Sequence, residues 1–262
     1  MSTPAPRLLR GVRVVSLTCS NTEIVCALGM GHTLVGVDDH SDWPPAILAG
    51  LPRVGPDLGI DVARVASLRP DLVLASLTVP GHERVVDAIA AAGLRYVAPA
   101  PLSIADVYAD IRLVGALLGV PERAEALVDE LTAALAPSPD TGRKVLVEWW
   151  PKPVIAAGRR SWIEGLVSLA GGRNALTDRD CISTPLTDAE VVALAPDVVV
   201  VAWCGVPFER YRLDVVRRRP AWRDVPALRE GRVVPITEAW LGRPGPRLVE
   251  GYRALRAVLN GP

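Results

Sequence analysis

Short runs of β-branched and other apolar residues alternate with amphipathic stretches over the first third of the chain. Arg13–Leu17, Leu34–Val37, Leu72–Ala75 and Arg95–Ala98 have the length and composition of strands. Between them, Thr22–Leu28, Val62–Leu68 and His82–Ala92 place apolar residues at helical spacing, and Gly29 and Gly93 stand where a helix would stop. Such alternation predicts a parallel sheet covered by helices. From Ile104 to Leu135 the pattern becomes a long helical stretch rich in alanine and leucine, with Pro121 and Glu122 suited to restart a helix after Gly119. Beyond the turn cluster Pro137–Gly142 the alternation resumes, with strands expected at Lys144–Trp149, Val198–Ala202 and Arg232–Ile236, and helices at Trp162–Ala170, Asp188–Leu194 and Arg247–Leu259. The pattern therefore predicts two α/β lobes with parallel sheets, residues 1–103 and 137–262, joined by a long helical connector over 104–136.

An internal repeat supports this division. Leu68-Arg69-Pro70-Asp71-Leu72-Val73-Leu74 and Leu194-Ala195-Pro196-Asp197-Val198-Val199-Val200 lie 126 residues apart, and the register continues without a gap to Glu83-Arg84 and Glu209-Arg210. Proline ending a helix and aspartate entering a turn is a common α/β junction, which accounts for the two Pro-Asp pairs. It does not account for the two Glu-Arg pairs in the same register.

Composition narrows the chemistry. Lysine plus arginine and aspartate plus glutamate each number 29, so no global field would draw nucleic acid or an anionic membrane, and nucleic acid is not expected as a partner. Cys19, Cys26, Cys181 and Cys204 have no Cys-x-x-Cys spacing, and most of them read as small buried hydrophobes. Met1–Val12 contains two arginines but no apolar stretch of signal-peptide length and no lipid-attachment cysteine, so the chain as written is expected to remain in the cytoplasm unless its true start lies upstream. No phosphate-binding loop, nucleophile elbow, dinucleotide fingerprint or His-Glu-x-x-His is present.

Seven tryptophans stand against one phenylalanine. A core filled for packing alone would use more phenylalanine, because a buried tryptophan must also satisfy its indole N–H. Trp149 and Trp150, Trp203 and Trp240 each follow an expected strand, where an open α/β sheet binds its ligand, and Trp43 follows Leu34–Val37 in a proline-rich loop. Together they predict flat apolar walls facing a cleft that suits a large ring system. Ser20, Asn21 and Thr22, at the start of the first helix, would offer hydroxyl, amide and backbone donors to polar groups of that ligand. Glu83 and Glu209 either favour a helix dipole or present one negative point per lobe to arginine pockets on a two-fold partner.

Arg13-Val14-Val15-Ser16-Leu17 through Ser20-Asn21-Thr22-Glu23, Val35-Gly36-Val37, Ser41-Asp42-Trp43-Pro44-Pro45, Leu68-Arg69-Pro70-Asp71-Leu72-Val73, Ala170-Gly171-Gly172-Arg173-Asn174 and Thr237-Glu238-Ala239-Trp240 followed by Pro246-Arg247 resemble the class III periplasmic binding proteins. Within that group the Ser-Asp-Trp-Pro-Pro segment is similar to the cobalamin-binding component of ABC importers. The resemblance implies two Rossmann-like lobes bridged by a rigid helix, a ligand cleft between them, a corrinoid of cobalamin type as ligand, and no intrinsic cofactor or resident metal. It implies a monomer that docks on an ABC transporter permease dimer through Glu83 and Glu209. Arg243 joins the expected ligand-binding residues, and His40 is a candidate ligand to a metal carried by the bound molecule. In the cobalamin proteins the loop corresponding to Arg53–Ile60 supplies a tryptophan; here it reads Val54-Gly55-Pro56-Asp57-Leu58-Gly59, which leaves haem or a ferric siderophore as alternatives. A cytoplasmic tetrapyrrole-processing enzyme is the alternative of another class, and Glu148, His40 and Asp42 are its candidate acids and bases.

Overall fold

A computed structural model describes residues 11–261, so most of Met1–Val12, where no export signal is expected, lies outside the described residues. The chain forms two compact units: one made of residues up to Pro101 with Ala105–Glu130, the other of Leu102–Ile104 with Leu131 onward.

The first unit contains β1 (Val14–Ser16), α1 (Cys19–Ala27), β2 (Leu34–Val37), α2 (Pro45–Leu48), α3 (Val62–Ser67), β3 (Leu72–Leu74), α4 (His82–Ala91), β4 (Tyr96–Val97), α5 (Ile104–Leu117) and most of α6 (Pro121–Ala134). Its four strands are all parallel, in the order β2-β1-β3-β4. Val14, Val15, Leu72, Val73 and Leu74 are buried, as expected of strands covered on both faces. The chain winds from β1 to β2 on one side and then crosses to β3 on the other. The carboxyl ends of β1 and β3 therefore border the switch point, where open sheets of this kind take ligands. Gly29 and Gly93 stop α1 and α4 with φ of 72° and 68°, a left-handed conformation that a side chain would oppose. The helical stretch after Ile104 is two 14-residue helices, with Pro121 as the first residue of the second.

The second unit contains β5 (Lys144–Pro151), β6 (Val154–Ala157), α7 (Trp162–Leu169), β7 (Arg173–Asn174), β8 (Ser183–Leu186), α8 (Asp188–Leu194), β9 (Val198–Val201), α9 (Leu213–Arg217), α10 (Pro226–Arg229), β10 (Val233–Pro235), α11 (Glu238–Leu241) and α12 (Leu248–Asn260). Its sheet runs β10-β9-β5-β6-β8, with β7 beside β5. The expectation of a parallel sheet is corrected here. β9, β10 and β7 extend the parallel part, but β6 is antiparallel to both β5 and β8. The cause is local: Lys152 and Pro153 reverse the chain in two residues, too few for the helical crossover that a parallel neighbour needs.

The 126-residue repeat is a repeated piece of backbone chemistry. Among the described residues, Arg69 and Ala195 are the non-glycine residues with positive φ, 48° and 46°, each ending a helix ahead of Pro-Asp. Asp71 accepts the amide of Arg13 at 2.8 Å and Asp197 accepts that of Lys144 at 2.8 Å, so each aspartate caps the start of the neighbouring strand. Arg13 Nη2 in turn donates to the Leu68 carbonyl and Lys144 Nζ to that of Leu194, both at 2.7 Å. A basic side chain thus closes the helix C-terminus in both units, where a positive charge is favoured by the dipole.

Candidate functional site

The carboxyl edge of the first sheet is assembled around a buried polar chain. Asn21 donates from Nδ2 to the Ala75 carbonyl at 2.7 Å and so ties the ends of β1 and β3 together. The Thr22 hydroxyl lies 2.8 Å from both Ser16 Oγ and Ser41 Oγ, and Ser41 donates to Asp38. Burial raises the Asp38 carboxyl pKa, opposed by the hydrogen bonds from Ser41 and the His40 amide. Arg53 Nη1 donates to the carbonyls of Asp38 and Ser41 at 2.9 and 2.6 Å. Five polar side chains therefore fix the loop that follows β2. Fully buried Thr22 and nearly buried Asn21 are spent on this scaffold, whereas Ser20, at the start of α1, has a hydroxyl contact to Thr18 Oγ1 at 3.4 Å.

Trp43 emerges from the anchored loop 48% exposed, and His40 is exposed three residues earlier. Leu58, Leu77 and Val79 are exposed on the loops that follow, so the unit presents a set of apolar side chains beyond its strands. Leu58 belongs to the loop in which the resemblance expects a tryptophan. Asp57 in the same loop lies 3.4 Å from His82 Nε2 and 3.8 Å from His40 Nε2. The His82 hydrogen bond holds the Asp57 carboxyl below the usual aspartate range. The two imidazoles approach different oxygens, and among the described residues no group of three or more such side chains is arranged to hold a metal ion.

In the second unit the tryptophans divide into two kinds. Trp150 is 41% exposed at the end of β5, its indole N–H donated to the Lys152 carbonyl at 3.1 Å; Trp149, at the register irregularity between Glu148 and Trp150, is half-buried. Trp240 is half-buried in α11, whose start is capped by Thr237, and Arg243 is buried with Glu238 at 3.7 Å. Trp203 does not fit the expected wall. It lies in the apolar core at 4% exposure, its ring 5.6 Å from Tyr211 and its N–H donated to Glu148 Oε1 at 2.9 Å. Trp162 and Trp222 are core residues too, with N–H donors satisfied at 2.7 Å by the Leu241 carbonyl and by Asp188. The lopsided use of tryptophan thus serves packing as well as surface.

Glu148 is fully buried and gripped by Arg219, Nη1 to Oε2 at 2.6 Å and Nη2 to Oε1 at 3.0 Å, while the guanidinium stacks over Trp222 at 4.2 Å. A carboxylate with both oxygens engaged by a cation is not poised to move protons, which removes it as a candidate acid or base. Glu83 is exposed in the first turn of α4, with Oε2 accepting the Gly81 amide at 2.6 Å. Glu209 is exposed in a 3-10 turn, Phe208–Arg210, and makes no hydrogen bond or ion pair among the described residues. The cysteines are less buried than expected: Cys19, Cys26 and Cys181 are half-buried and Cys204 is exposed. Desolvation pushes the Cys26 thiol up to about 11, so it stays protonated at neutral pH.

Comparison with known proteins places these features in context. Residues 14–239 match the family model described as periplasmic binding protein. An uncharacterized ABC transporter substrate-binding lipoprotein, YvrC of Bacillus subtilis, is 29% identical over 93% of this chain and 78% of its own length. The vitamin B12-binding protein of Salmonella choleraesuis is 26% identical, over 95% and 90% respectively. The apo structure of the periplasmic heme-binding protein RhuT from Roseiflexus sp. RS-1 superimposes with a TM-score of 0.79 at 30% identity, covering 95% of this chain and 97% of that one. The chain belongs to the periplasmic binding protein family.

Proposed function

We propose that this chain is the solute-binding component of an ABC-type importer and that its ligand is a large planar metal chelate, a cobalamin-type corrinoid before others. The observation that carries the reading is the anchored loop of the first unit, where Asp38, Ser41, Thr22 and Arg53 hold Trp43 half-exposed beyond the strand ends. A rigidly held aromatic face loses little entropy when a flat ring stacks on it. Trp149, Trp150 and Trp240 supply further aromatic surface, Ser20 supplies a hydroxyl, and Arg243 a cation for a polar substituent. Asn21 and Thr22 act through the scaffold. The similarity to vitamin B12-binding proteins supports a corrinoid.

Haem is the second reading. His40 lies in the same loop as Trp43 with a side chain 55% exposed, on which an iron would compete with the Asp57 contact at 3.8 Å, and the structural relative at 30% identity is a heme-binding protein. The role is binding without turnover, in keeping with the engagement of Glu148 by Arg219. Glu83 and Glu209 would dock the loaded monomer on a permease dimer, on the outer side of the membrane from which an importer loads.

Parallel titrations with cyanocobalamin and haemin, followed by tryptophan fluorescence, test the reading. Saturable quenching by the corrinoid that falls at least tenfold in affinity in Trp43→Ala is expected, taking about 1.4 kcal/mol for one stacked wall. Quenching by neither ligand would refute the tetrapyrrole reading and turn the search to siderophores.

A further inference from the structure

We propose that the segment Phe208–Arg218 of the second unit is a docking surface for an anionic phospholipid bilayer. The internal repeat exposes it. Glu83–Gly93 in the first unit carries one cation, Arg84, whereas the corresponding Glu209–Arg219 carries Arg210, Arg212, Arg217, Arg218 and Arg219 in a chain that is neutral overall. Arg219 is consumed inside the unit by Glu148. The other four are exposed. The side chains of Arg210 and Arg212 make no hydrogen bond or ion pair among the described residues, that of Arg217 gives one N–H to the Val233 carbonyl at 3.1 Å, and that of Arg218 meets Asp214 at 3.4 Å with both side chains largely in water. Apart from that Arg217 hydrogen bond, neither the fold nor the core asks for these charges.

The same segment exposes two large apolar side chains, Phe208 at 48% and Val215 at 39%. Val216 and Leu213 anchor it to the core, which turns the arginines, Val215 and the ring of Phe208 outward. An acidic protein surface would account for the cations alone. Cations interleaved with an exposed ring match the lipid interface, where guanidinium forks take phosphates and the ring enters the boundary of the acyl chains. The proposal goes beyond the ligand reading and stands without it, although a bilayer is where an importer's binding component would work.

Co-sedimentation of the full chain with phosphatidylcholine vesicles, with and without phosphatidylglycerol, tests it. Binding is expected only with the anionic lipid and weakens with salt. The variant Arg210→Gln/Arg212→Gln/Arg218→Gln should lower partitioning about a hundredfold, at roughly fivefold for each basic residue near an anionic surface. Arg64→Gln/Arg84→Gln/Arg95→Gln removes the same charge from the first unit and should leave binding nearly unchanged. Phe208→Ala should lose the fraction that survives at high salt. Sedimentation indifferent to phosphatidylglycerol, a second-unit triple variant that binds like the parent, a first-unit triple variant that loses as much, or an undiminished high-salt fraction in Phe208→Ala would each overturn the proposal. Corrinoid and haemin titrations on the same variants keep its failure distinct from that of the ligand reading.

Discussion

Replacing Trp203 by phenylalanine separates a core tryptophan from a ligand wall. The indole donates to a carboxylate oxygen at 2.9 Å in a fully buried setting, and a hydrogen bond to a charged group is worth about 1.5–3 kcal/mol. Because Arg219 Nη2 still reaches that oxygen at 3.0 Å, the loss should fall at the lower end of that range. The smaller ring leaves a void costing roughly 1 kcal/mol more. The sum, about 2–3 kcal/mol, should lower the melting temperature of the second unit by about 6–9 °C, at roughly 3 °C per kcal/mol for a domain of this size. Urea and thermal unfolding by circular dichroism measure this, and equilibrium dialysis measures ligand affinity in the same preparation. Trp150→Ala is the complement: at 41% exposure it should change stability by less than about 0.5 kcal/mol yet weaken ligand binding about tenfold. If Trp203→Phe unfolded like the parent but lost ligand affinity, the assignment of Trp203 to the core would be refuted.

Arg219→Met should destabilise the second unit by about 3–5 kcal/mol by leaving Glu148 buried without its cation, and Glu148→Met in that background should restore most of the loss; urea unfolding of the single and double variants decides. Asp71→Ala and Asp197→Ala should each cost about 1–3 kcal/mol, one in each unit, since each leaves a strand-initiating amide without its acceptor, and hydrogen exchange at Arg13 and Lys144 reports which cap was lost. Asp57 has a folded pKa below its ordinary value of 3.8, so its contribution is complete above that pH and disappears as pH falls through the depressed value. Acid titration of stability should therefore be shallower in Asp57→Asn below about pH 4, and an identical acid limb in both proteins would contradict the His82 contact. Glu83→Gln with Glu209→Gln should leave ligand affinity intact and reduce uptake in cells, measured with labelled ligand.

The parallel strands were legible because central strands of such sheets are continuous apolar runs, and Leu72–Leu74, Val198–Val201 and the Val14-Val15 pair of β1 are of that kind. The β6 and β8 strands were not. Val154–Ala157 is half alanine and Ser183–Leu186 carries Pro185, a residue tolerated at a sheet edge but a poor strand signal. The repeat was visible as letters, but its cause, a left-handed residue before Pro-Asp and an aspartate capping the next strand, needed the backbone. Trp203 was misplaced because its acceptor, Glu148, lies 55 residues away, and a buried partner at that distance leaves no local pattern. Trp43 and Trp150 are exposed where strand ends suggested they would be. The meeting of His40, Asp57 and His82 brings together two separate loops and the start of α4 and had no sequence signal at all.

The most direct test of the central claim is the paired titration of the intact chain with cyanocobalamin and haemin, read by tryptophan fluorescence and repeated with Trp43→Ala. The account predicts saturable quenching by the corrinoid that weakens at least tenfold when Trp43 is removed, with stability unchanged within about 0.5 kcal/mol. Tight binding that survives Trp43→Ala, or the absence of quenching by either tetrapyrrole, would contradict it.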